Sequence, residues 1–156
     1  MADQIETLNL LVGRASSGNP VFENLPVIAL GDGKYELRAS PGLVLGVAKA
    51  DIIEVAEEGA FSVISRGGNV CVQILLERPV ENLQKIESRL TLALTGSVDG
   101  LTDRQLVLSI PVSNGFQKIE LCIQEIIANL PGADWHYGNV YDDEKDGTTP
   151  LDWWLA

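Results

Sequence analysis

One histidine, two cysteines and a scatter of carboxylates are the first side chains to weigh for chemistry, and their spacing limits what that chemistry could be. His136 sits between Trp135 and Tyr137 in a strand-like alternation. A Ser-His-Asp relay, a Cys-His pair or a multi-histidine zinc site would each have to be built around that single residue. Cys71 falls in a strand-like run. Cys122 falls in a helix-like run between Glu120 and Glu125, whose charge raises a thiol pKa and opposes nucleophilic use. Both read as reduced, buried small hydrophobes. No Gly-Lys-Ser phosphate loop, dinucleotide glycine fingerprint or paired-cysteine knuckle is present. Gly31-Asp32-Gly33 and Arg66-Gly67-Gly68 read as hairpin turns.

The carboxylates fall into two groups. Asp142, Glu144, Asp146 and Gly147 stand at positions one, three, five and six of a calcium loop. However, position twelve is Trp153 where a bidentate Glu is required, Glu144 is longer than the usual ligand, and no helix precedes the run. With Asp143 these residues read as a solvated acidic tail. Asp142, Glu144 and Asp146 remain a weak metal candidate, and no cofactor is expected. Asp51, Glu54, Glu57 and Glu58 form the second group. A strand there points Asp51 and Glu54 to opposite faces, so they make no acid and base pair and read as solvated edge charge. No catalytic residue can be named. The candidate binding residues are Asp142, Asp143, Glu144, Asp146, Glu57 and Glu58 together with Trp153 and Trp154. In an extended tail the two indoles face opposite ways, and either fold back on the body or dock on another chain.

The chain has 156 residues, with 11 Lys plus Arg against 22 Asp plus Glu and a net charge of −11. At 46% hydrophobic and 21% charged it is globular in composition and long enough for one proper core. So negative a charge argues against nucleic acid and anionic membrane as partners. The first residues carry acids where a secretory signal carries Lys or Arg, and no apolar run approaches the ~20 residues of a membrane helix. A cytoplasmic location is expected.

Residues 1–19 read as a loose arm or peripheral strand, and from Val21 the hydrophobic period is two. Strands are predicted over 21–30, 34–39, 51–56, 60–65 and 70–76, with Pro26 marking an edge or bulge and residues 66–69 turning the last pair into a hairpin. Past Glu77 the period becomes 3.6. Val80, Leu83, Ile86, Leu90 and Leu94 stripe a helix that opens near Pro79 and stops near Gly96. Residues 99–104 read as a loop and 105–111 as a buried strand. A second helix is capped by Asn114 with Gln117, and its stripe of Phe116, Ile119, Ile123, Ile126, Ile127 and Leu130 ends at Pro131-Gly132. Residues 135–141, Trp135 to Tyr141, read as a last strand. The fold class is α+β. One domain over 1–156 holds a curled, mostly antiparallel sheet of N-terminal strands, then a β-α-β-α-β half with two helices on one face. Residues 142–156 follow as an acidic, Trp-containing tail.

Several stretches carry a family resemblance. They are Val21-Phe22 through Leu25-Pro26, Tyr35-Glu36-Leu37-Arg38 leading into Ser40-Pro41-Gly42, the run from Gly46 to Glu54, Arg66-Gly67-Gly68-Asn69 leading through Val70 to Ile74, and Trp135-His136-Tyr137. Over about 21–141 the chain resembles a family of small bacterial proteins catalogued only as a domain of unknown function. The resemblance implies an α+β fold of this size and brings no reaction with it. Family members have Gly where this chain has Ala50. Charge and size then point to a non-enzymatic protein-binding module whose acidic surface meets a basic partner, an immunity-type inhibitor of a basic toxin domain being the special case. Two other readings stay open. One is a small-molecule binder or enzyme with Arg38, Arg66, Tyr35 or His136 in a pocket between sheet and helices. The other is a structural or regulatory homodimer joined through an exposed strand.

Overall fold

A computed structural model describes residues 4–156. Among the described residues nine strands form two antiparallel sheets, accompanied by two helices, an α+β arrangement. The first sheet is a meander in chain order: β1 (Ile5–Arg14), β2 (Pro20–Gly31), β3 (Lys34–Leu37), β4 (Ile52–Val55) and β5 (Phe61–Ser65). The second contains β6 (Asn69–Leu75), β7 (Ser97–Leu101), β8 (Gln105–Pro111) and β9 (Asp134–Tyr137). Helix α1 (Leu83–Leu94) links β6 to β7, and α2 (Phe116–Ile127) links β8 to β9. The spatial order β7-β8-β6-β9 makes this half a split, ferredoxin-like β-α-β-β-α-β unit.

Period-two and period-3.6 patterns account for its packing. Val70, Val72 and Ile74 of β6 and Leu106, Leu108 and Ile110 of β8 point one way, onto Ile86, Leu90 and Leu94 of α1 and Ile119, Ile123 and Ile126 of α2. That core fills the middle of the layer between sheet and helices, and at one end a cavity of about 420 Å³ opens between α1, α2 and residues 76–82. A second cluster joins Leu10, Leu25, Val27, Leu37 and Ile53 of the first sheet to Val44 and Val47 of the segment between β3 and β4. No helix among the described residues is long and apolar enough to cross a membrane.

Several sequence expectations are corrected. Of the two readings of the N-terminus, loose arm or peripheral strand, residues 5–14 take the second: a strand at the end of the first sheet, paired with β2 from Ile5↔Ile28 to Arg14↔Pro20. Pro26 lies on a strand flanked on both sides, just where the β3 ladder ends at Val27↔Leu37, so its missing N–H costs that ladder nothing. Residues 97–101 form β7 instead of running into a loop. Asp99 and Gly100 are poor strand formers, and a bulge between Val98 and Gly100 accommodates them. Strands β5 and β6 do not pair. The turn at Gly67 and Gly68 is the crossover from one sheet to the other. A Cβ on Gly67 would lie 2.5 Å from the Ala50 backbone, and Gly68 holds φ +92°. Helix α1 begins later than Pro79, with the Asn82 side chain accepting the Lys85 N–H at 3.3 Å. The expected capping box at α2 does not form. Gly115 precedes the helix, and Asn114 Nδ2 instead donates to the Leu94 and Pro111 carbonyls at 2.8 and 2.9 Å.

Candidate binding groove

The face of β6 and β8 turned away from the helices presents Cys71, Gln73, Val107 and Ser109, all buried. Residues 38–51, between β3 and β4, cover it and join the two sheets. Ser40 Oγ meets Ser109 Oγ at 2.6 Å, and Asp99 accepts from the Ser40 N–H at 2.7 Å and from the Ser109 hydroxyl. Gln73 Nε2 donates to the Pro41 carbonyl at 2.9 Å. Glu23 reaches across from β2 to accept the N–H groups of Gly42, Leu43 and Val44 at 2.7, 2.9 and 2.9 Å, which holds this loop against the first sheet.

Asp51 ends the loop and is 1% exposed, so it is not the solvated edge charge that the strand pattern implies. Its Oδ1 accepts the Gly67 N–H at 2.8 Å and its Oδ2 the Ala48 N–H at 3.0 Å, with Arg66 Nη1 at 3.4 Å. Burial raises its pKa, opposed by those two N–H bonds and by the Arg66 charge. Arg66 also donates to the Gly46 carbonyl at 2.7 Å. Buried Asn139 continues the seam, its Oδ1 accepting the Cys71 N–H at 2.8 Å and its Nδ2 donating to the Asn69 carbonyl at 2.9 Å.

The C-terminal residues return onto this seam. Trp153 Nε1 donates to the Asn139 carbonyl at 2.8 Å, and the Leu151 N–H to the Val140 carbonyl at 2.8 Å. Trp153–Leu155 is a 3-10 turn rather than an extended segment, so the two indoles do not face opposite ways. They meet edge to face at 5.4 Å, and Trp154 meets Phe116 of α2 at 5.0 Å. Both rings are partly buried against the core between the second sheet and its helices.

Between the first sheet and this returning tail lies a groove of about 680 Å³. Its floor is apolar, with Leu11 and Val12 of β1, Val44 of the joining loop, and Phe61 and Val63 of β5. Asp142, Asp143 and Glu144 line the tail side. Burial lifts the Asp143 carboxyl above its ordinary value; His136 acts against this and Asp142 adds to it. Arg66 also lines the groove, but Asp51 and the Gly46 carbonyl already engage its guanidinium.

Of the sequence-nominated residues, Asp142, Asp143 and Glu144 therefore share one site. Asp146 does not join them. Its carboxylate closes a turn by accepting the Thr148 N–H, the Thr149 N–H and the Thr149 hydroxyl at 2.9, 2.8 and 2.7 Å. Those bonds, led by the Thr149 hydroxyl, lower its pKa to about 2. Among the described residues no group of three or more His, Cys, Asp or Glu side chains is placed to hold a cation, so Asp142, Glu144 and Asp146 do not converge as a calcium loop requires. Glu57 and Glu58 stand in the 3-10 turn Glu57–Gly59 that leads into β5, exposed, with Glu58 4.0 Å from Arg14. His136 Nε2 lies 2.5 Å from Gln73 Oε1, an amide rather than a serine, thiol or metal. Tyr35 and Arg38 lie away from the groove, Arg38 paired to Glu36 at 2.9 Å. Both cysteines are free and buried. Burial pushes Cys71 up to about 12 and also raises Cys122.

The sequence model of the Domain of unknown function (DUF4265) family matches residues 23–130, more than half of the chain. The chain belongs to this family. The DUF4265 match runs from β2 to just past α2. It thus covers the joining loop, Asp51 and β5, and leaves β1 and the acidic side of the groove outside. A crystal structure of a hypothetical protein from Neisseria gonorrhoeae is similar over 88% of this chain and 96% of that one, with a TM-score of 0.63 and 15% identity. At that identity the two share a fold. No curated protein matches the chain in sequence.

Proposed function

We propose that this DUF4265 protein is a non-enzymatic, cytoplasmic binding module that takes a basic segment of a partner protein into its groove. The carrying observation is the pairing of an apolar floor with Asp142, Asp143 and Glu144 on one wall. Apolar contact supplies affinity once water is expelled, while the carboxylates select positive charge and turn away acidic sequences. A net charge of −11 adds long-range steering, which speeds capture of a cationic partner and weakens as salt screens it. An immunity-type inhibitor of a basic toxin domain is the special case this electrostatic pattern suits.

Selection from a displayed library of random peptides tests it. The expected outcome is a family of Lys- or Arg-containing apolar peptides. They bind the parent protein and are lost by the triple variant Asp142→Lys, Asp143→Lys, Glu144→Lys. Recovery of no basic sequence, or equal binding by the charge-reversed protein, would overturn the proposal.

A further inference from the structure

The first sheet is open. β1 and β5, its two end strands, each pair on one side only. Four successive antiparallel pairings make them parallel to each other. β1 closely approaches the 3-10 turn that leads into β5, where a Cβ on Gly59 would lie 2.9 Å from the Asn9 carbonyl oxygen. Beyond it no ladder joins them among the described residues, and Leu11 and Val12 of β1 and Phe61 and Val63 of β5 both contribute to the floor of the groove.

Backbone alternation says which groups of β5 are free. The Ala56 N–H donates to the Ala60 carbonyl at 2.7 Å, and the register runs without a shift through Val55↔Phe61, Glu54↔Ser62 and Ile53↔Val63. In an antiparallel pair the bonding direction alternates, so Ala60 and Ser62 face β4 while the N–H and C=O of Phe61 and Val63 face the groove. Edge strands are ordinarily blunted by charge, proline, a bulge or shortness. β1 carries Glu6, Arg14 and a bulge, β7 carries Asp99 and a bulge, and β9 is four residues long and opens with Asp134. β5, Phe61-Ser62-Val63-Ile64-Ser65, is five residues long and carries no charge and no proline; its bulge, at Ile64, lies beyond Val63 and leaves the stretch from Phe61 to Val63 regular.

We propose that the free edge of β5 is a backbone template on which a basic partner segment adds as an extended strand, antiparallel to β5. Alternate side chains of the segment pack on the apolar floor, and its Lys or Arg residues meet Asp142, Asp143 and Glu144. Main-chain bonds then supply affinity and alternate side-chain positions supply selectivity. This rests on the groove reading above and adds the conformation and pairing partner of the occupant. Charge complementarity decides against a second copy of this chain, which would bring the same acids and another −11 to the interface.

The experiment uses selected basic peptides of about eight residues, the length of an ordinary strand. Each is N-methylated at one position at a time, and hydrogen exchange of the protein is followed by NMR. The expected result is a two-residue alternation, in which methylation at every second position weakens binding about tenfold, the loss of one net hydrogen bond, and the intervening positions tolerate it. Bound peptide also slows exchange at Phe61 and Val63. Tight binding that tolerates every N-methyl group and leaves those two amides unprotected would overturn strand addition while the groove reading stands. Failure of every basic peptide to bind would overturn both. A concentration-dependent dimer protecting the same amides without peptide would overturn the proposal in favour of self-pairing.

Discussion

Arg66 stacks over Trp153, its guanidinium carbon 5.6 Å from the ring centroid. Arg66 belongs to the crossover between the sheets and Trp153 to the last turn of the chain, so this contact ties the tail to the seam. Replacing the pair in a double-mutant cycle, Arg66→Met and Trp153→Leu, should reveal a coupling of about 0.5–1 kcal/mol, the size of a partly exposed cation–π contact. Urea unfolding measures it, and additive single changes would contradict it.

Ala50 holds φ +74°, a conformation that suits glycine, and its backbone abuts Gly67. Ala50→Gly should therefore stabilise the protein by about 1 kcal/mol, strain relief outweighing the added chain entropy of glycine. A thermal or urea transition that is unchanged or lowered would show that the turn is not strained.

Cys71 is buried beside the Pro41 carbonyl and pushed up to about 12. The thiolate is the reactive form, so at pH 8 the folded protein should leave Cys71 unlabelled by a thiol reagent for as long as it stays folded, and unfolding in urea should release it. Rapid labelling of native Cys71 would contradict the burial described.

Asp146 is lowered to about 2 by the bonds it accepts from Thr149 and Thr148. A folded-state pKa below the unfolded value means the ionised form favours the folded turn. Its contribution is complete above the ordinary value of 3.8 and is lost as the pH falls through about 2. The Thr149 amide resonance should follow that low midpoint. A midpoint at the ordinary value would contradict it.

The fold class and both helices were legible because their signals are periodic and local: Ile86, Leu90 and Leu94 on one stripe, and Ile119, Ile123 and Ile126 on the other. β7 was not, because Asp99 and Gly100 are weak strand residues, and Asp99 is held by Ser109 of the next strand and by Ser40, far away in sequence. The Gly67-Gly68 turn had hairpin grammar, and only tertiary pairing decides whether such a turn joins neighbours or changes sheet. Asp51 looked like surface charge because its partners, Gly67 and Ala48, contribute main-chain N–H groups that leave no mark in side-chain identity. At the groove, Asp142, Asp143 and Glu144 could be named from charge alone. Its apolar floor could not, since Leu11, Val44 and Phe61 come from three separated segments. The one sequence signal for it was the uncharged run of β5.

Negative charge at the groove is proposed to select its occupant. Calorimetric titration of a selected basic peptide into the parent protein and into the neutralised variant Asp142→Asn, Asp143→Asn, Glu144→Gln, at low and high salt, tests this most directly. The predicted result is strong, salt-weakened binding to the parent, with an affinity loss of about tenfold or more and a flattened salt dependence in the variant. Equal affinity and equal salt dependence in the two proteins would contradict it.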